Sequence, residues 1–96
     1  MRSFRIFLDR WRELKFDERA LIRARDEFGL DLGQMLKKEQ PLRTLQILIC
    51  CGLVPADRLA FRKVKRLVSA DKDDVLSLEV LKALCAGCGV SFVDID

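Results

Sequence analysis

Apolar positions recur at helical spacing along most of this chain. Phe4, Phe7, Leu8, Trp11 and Leu14 fall within about 120° of a helical wheel, one stripe at the 3.6-residue period. That stripe predicts a helix over residues 4–14, with Ser3 as N-cap and Ile6 off the stripe. Asp17 is placed to cap a second helix. Phe16 before it and Leu21 inside it are spaced as a hydrophobic staple. Leu21, Ala24 and Phe28 then form its buried face, and Gly29 stands where a left-handed residue ends a helix. Asp31 and Gln34 have capping-box spacing for a short third helix over 32–38.

The stretch from Leu42 to Leu76 carries the strongest pattern. Residues 42–51 are nearly all apolar, and a helix apolar on almost every side must be covered on every side. They predict the central post of a bundle, with Pro41 in the first helical position and Gly52 as terminator. A fifth helix is expected over Asp57–Val68. Ala60, Phe61, Val64, Leu67 and Val68 lie on one side of it, and Arg58, Arg62, Lys65 and Arg66 on the other. A sixth runs through Val75, Leu76, Val80 and Leu84 and ends near Gly87. The tail from Val90 has β-type composition. The expected fold is all-α, a compact six-helix bundle over residues 1–88 with a short non-helical tail over 89–96.

Composition narrows the chemistry. Half of the 96 residues are apolar, which suits one domain with its own core. The net charge of +3 is mild, whereas dedicated nucleic-acid binders are more basic and more one-sided. Asp9, Arg10 and Arg12 interrupt any signal core, and no apolar run approaches the roughly 20 residues that span a bilayer. A cytoplasmic protein without membrane attachment is expected. The chain has no histidine, which removes Ser–His and Cys–His nucleophile pairs. No catalytic or cofactor-binding residue stands out, and an enzyme is not expected.

The four cysteines admit a sharper alternative. Cys85 and Cys88 form a C-x-x-C, and with Cys50 and Cys51 they make enough thiolates for tetrahedral zinc. Adjacent cysteines on a helix diverge by about 100°, however, so core filling explains Cys50 and Cys51 better. At a helix C-terminus the dipole also has the wrong sign to stabilise a C-x-x-C thiolate. No metal is expected. Asp71, Asp73 and Asp74 lack the glycine and distant glutamate of a calcium loop and suit a helix N-terminus. Trp11 is expected in the core, with a half-exposed interface anchor as the alternative.

Three segments resemble a death-effector domain of the death-fold superfamily. Ser3-Phe4-Arg5-Ile6-Phe7-Leu8 looks like that family's first helix. Gly52-Leu53-Val54-Pro55-Ala56-Asp57-Arg58-Leu59-Ala60-Phe61 is similar to its junction between helices four and five. Lys72-Asp73-Asp74-Val75-Leu76 looks like its R-x-D-L-L signature, with Lys72 in place of Arg and Val75 in place of Leu. The resemblance implies a surface charge triad of Glu18, Lys72 and Asp74. It also implies homotypic assembly in apoptotic or innate-immune signalling, with this chain or related death-fold domains as partners. The expected interaction surface adds Arg58, Arg62, Lys65 and Arg66, matched to Asp17, Glu18, Asp26 and Glu27 of another copy. A head-to-tail contact of that kind gives an oligomer or an open filament. The alternative is a small helical nucleic-acid-binding or regulatory domain that uses the basic face of the fifth helix. No aromatic side chain interleaves with that face in sequence, so nucleic acid is the less expected partner.

Overall fold

The computed structural model describes residues 4–37, 40–69 and 74–91. They form a β-hairpin, β1 (Phe4–Phe7) and β2 (Trp11–Leu14), followed by helices α1 (Glu18–Phe28), α2 (Leu32–Met35), α3 (Leu42–Gly52), α4 (Phe61–Leu67) and α5 (Asp74–Cys88). A 3-10 turn at Pro55–Asp57 joins α3 to α4. The described chain is mostly helical, with one small two-stranded sheet.

The helix expected over residues 4–14 is the first correction, because those residues form the hairpin. The strands are antiparallel, with Phe4 opposite Leu14, Arg5 opposite Glu13, Ile6 opposite Arg12 and Phe7 opposite Trp11. Burial alternates along them, as the two-residue side-chain period of a strand requires. Ile6, Arg12 and Leu14 are buried, while Arg5, Phe7 and Trp11 are exposed. Ile6, off the helical stripe, is thus a core residue, and two members of the stripe face outward. A hairpin of two four-residue strands is marginal alone, and this one is held from two sides. β1 packs against α5. The end of β2 is tied to the end of α3 by the Lys15 N–H donating to the Gly52 carbonyl at 2.7 Å and the Val54 N–H donating to the Glu13 carbonyl at 3.1 Å.

α1 begins as its sequence dictates. The Asp17 carboxylate accepts from the Ala20 N–H at 3.0 Å, and Gly29 ends the helix at φ 71°. The capping box of Asp31 and Gln34 is formed in both directions. α2 is shorter than expected and stops at Met35. α3 is the central post, with Leu45 through Gly52 continuously buried and α1, α4 and α5 packed around it. Pro41 is its N-cap rather than its first helical residue, and Gly52 lies inside the last turn. Gln46, polar and buried, donates to the Val68 carbonyl at 2.6 Å and so satisfies the end of α4.

The expected helix over Asp57–Val68 is also corrected, since α4 starts only at Phe61. Asp57 is engaged elsewhere: its carboxylate accepts from the Glu13 N–H at 2.8 Å and pairs with Arg10 at 3.1 Å. With the acid turned toward the hairpin, it cannot cap a helix beginning beside it. α5 runs through Gly87 to Cys88, and Gly89 at φ 71° is the left-handed residue after it. Close approach explains Gly52 and Gly87. A Cβ on Gly52 would lie 2.5–2.9 Å from the Phe16 ring, and one on Gly87 would overlap the Phe16 carbonyl oxygen. Phe16 is therefore clamped between α3 and α5. The β-type tail beyond Ser91 lies outside the described residues.

Candidate interaction surfaces

The outer face of the hairpin carries the largest exposed aromatic groups among the described residues. Phe7 is 59% exposed and Trp11 61%. Their rings meet edge to face, with centroids 5.5 Å apart and planes at 76°. The pairing suits aromatic quadrupoles and fixes the indole without burying it. Arg5 lies beside Trp11, and the two line a shallow notch of about 160 Å³. Of the two positions the sequence allows Trp11, core or half-exposed anchor, its strand position excludes the core and turns it outward. The inward position next to it belongs to Arg12.

Arg12 anchors this platform from below. Its Nε donates to Asp9 Oδ1 at 2.7 Å, its Nη2 to Asp9 Oδ2 at 2.9 Å, and its Nη1 to the Asp57 carbonyl at 2.9 Å. This is a bidentate fork, the strongest common guanidinium–carboxylate geometry. The Arg12 guanidinium holds the Asp9 carboxyl well below the usual carboxylate range. Asp57 is also lowered, first by the Glu13 N–H it accepts from and then by the charge of Arg10. The turn of the hairpin is thus fastened to the segment just before α4.

The second surface follows directly. Residues 58–69 hold Arg58, Arg62, Lys63, Lys65 and Arg66 and no acidic residue. Arg62, Lys65 and Arg66 stand at i, i+3 and i+4 on the exposed side of α4, and Arg58 is exposed in the segment preceding it. None of the five is ion-paired among the described residues. Lys65 Nζ lies 5.1 Å above the Phe61 ring, which packs edge to face on Phe28. The apolar side of α4 is spent on the core, with Val64 and Val68 buried.

The acidic side looks different. Glu18 is exposed in the first turn of α1, with no ion pair among the described residues. Asp26 is paired with Arg25 at 2.9 Å and Glu27 with Arg23 at 3.0 Å. Asp17 caps its own helix and lies 4.0 Å from Arg19. Asp74 opens α5, and Lys72 lies outside the described residues, so the expected triad of Glu18, Lys72 and Asp74 falls partly outside what the structure describes.

The cysteines are placed by packing. Cys50 and Cys51 are buried on α3; Cys85 is buried and Cys88 half-buried one turn later on α5. Burial pushes the Cys51 thiol up to about 12 and raises the other three, with Arg23 offsetting part of the rise at Cys50. Such thiols are weak nucleophiles. Arg23 donates to the Cys50 carbonyl at 3.2 Å, a cation on the C-terminal carbonyls of α3. Among the described residues no group of three or more Cys, Asp or Glu side chains has metal-binding spacing, and no helix is long and apolar enough to cross a membrane.

The helical period over 4–14 hides Phe7 as a surface residue and leaves Trp11 there only as the alternative to a core position. The signal that finds them is the alternation Phe-Arg-Ile-Phe and Trp-Arg-Glu-Leu around Asp9-Arg10. No protein-family model matches this chain, and neither a curated protein nor a solved structure does.

Proposed function

We propose that this chain is a protein-interaction domain whose docking surface is the outer face of the hairpin. The exposed Phe7–Trp11 pair supports this reading. Tryptophan and arginine dominate the energetic centres of protein interfaces, because one large rigid group there excludes much water. Both occur here, with Arg5 beside the indole and the platform held by the fork from buried Arg12 to Asp9. Homotypic assembly, the form implied by the likeness to death-effector domains, makes a second copy or a related domain the partner. Membership in an apoptotic or innate-immune pathway rests on that likeness alone.

The test separates docking from folding. Trp11→Ala and Phe7→Ala remove exposed side chains, and a cross-strand aromatic pair contributes only about 0.2–1 kcal/mol. Both variants should melt within a few degrees of the parent. Light scattering across concentration should show the parent forming larger species and the variants failing to do so. A parent that stays monomeric at every concentration rules out homotypic assembly. Variants that assemble like the parent rule out the hairpin as the docking surface.

A further inference from the structure

We propose that the basic face formed by Arg58, Arg62, Lys65 and Arg66 binds the phosphate backbone of nucleic acid without reading its sequence. The proposal stands on a different surface from the hairpin and does not depend on it. Four exposed cations project from one short segment that holds no acidic residue, and none of them is ion-paired among the described residues. Exposed positive charge at this density attracts an anionic counterpart, and three kinds carry enough charge: an acidic protein surface, an anionic membrane and a polynucleotide.

The surroundings of the four cations decide among these. Protein interfaces are centred on desolvated apolar or aromatic anchors. The exposed large apolar residues among those described are Phe7, Trp11, Ile22, Leu32 and Leu78, and none lies in residues 58–69. A second copy offers a thinner complement, because Asp26 and Glu27 are already paired within α1, which leaves Glu18 as that helix's exposed acid without an ion pair among the described residues. A membrane-surface helix needs a free apolar face to insert, and Val64 and Val68 are committed to the core. A purely ionic face suits a partner whose charge is dense, repeated and indifferent to apolar contact. Phosphodiester backbone has that character, and backbone contacts position a protein without carrying sequence information.

The scale of the site is also suitable. A helix of this length spans about 10 Å, enough to meet a few successive phosphates. Four phosphate contacts predict a slope of log affinity against log salt of roughly −3.6 on duplex DNA. The experiment measures binding of the full chain to a short fluorescein-labelled duplex of mixed sequence by anisotropy over a series of salt concentrations. Arg62→Ala and Lys65→Ala should each shallow the slope by roughly 0.9. Arg62→Lys should keep the slope, because it keeps the charge. Trp11→Ala should leave the slope unchanged, which separates this outcome from any failure of the hairpin proposal. Melting temperatures beside each titration confirm that every variant is folded. Polyglutamate and phosphatidylserine vesicles serve as competing polyanions. Absence of duplex binding at low salt overturns the proposal, as does a slope unmoved by the alanine variants. Binding to polyglutamate or to vesicles as tight as to duplex overturns it as well, and reassigns the face to an acidic protein or a membrane.

Discussion

Gly87 shows how one residue records a contact that composition hides. It is exposed, and it lies inside a helix, where glycine is about 1 kcal/mol less favourable than alanine. On propensity alone, Gly87→Ala should stabilise. A Cβ there would overlap the Phe16 carbonyl oxygen, a backbone atom that cannot swing aside. The expected outcome therefore has the opposite sign, a destabilisation of about 1–3 kcal/mol, the range for overpacking. Urea unfolding of parent and variant checks it. A more stable variant would mean that α5 does not approach the residue before Asp17 so closely. Gly29 and Gly89 differ from it: both have positive φ and open space around them, so their role is conformational rather than steric.

The hairpin is the element in which electrostatics and folding are joined. Its turn is fastened by Asp9 to Arg12 and by Asp57 to the Glu13 N–H and Arg10, and both carboxyls are lowered by those contacts. A carboxyl lowered in the folded state binds fewer protons there than in the unfolded chain, where its value is about 3.9. Its contribution is complete above that value and is lost as pH falls through the folded one. The parent should therefore lose stability progressively as pH drops below about 4. Asp9→Asn should be less stable near neutral pH and should lose less on acidification. Melting temperatures of both proteins between neutral and strongly acidic pH test this; parallel curves would show that the fork adds nothing. The same fastening explains why α4 begins at Phe61. Asp57 serves the hairpin, and the chain needs the intervening residues to turn back onto α3.

For the molecule as a whole, stability should concentrate in α3, which is surrounded by α1, α4 and α5. Leu45 has no exposed surface. Leu45→Ala should cost about 2–5 kcal/mol, the range for deleting a large core side chain, and a loss under ~0.5 kcal/mol in denaturant unfolding would mean that this helix is peripheral. The two candidate surfaces lie outside that core, so the hairpin and α4 variants can be compared without general unfolding. The sequence sufficed for features whose cause lies within a few residues or in overall apolarity. Asp17 as a cap, Gly29 as a stop, the Asp31–Gln34 box and the buried course of α3 are all of this kind, and all are present. Residues 4–14 fit both the helical and the strand period, and local spacing could not choose between them. Packing of β1 on α5 and pairing of β2 with the end of α3 made the choice, through partners about 40 residues or more away in sequence. That choice buried Ile6 and Arg12 and exposed Phe7 and Trp11. Tertiary structure alone also turned Asp57 toward Glu13 and left the α4 cations without an ion pair among the described residues, because a charge finds its counterpart by position in space rather than by position in the chain.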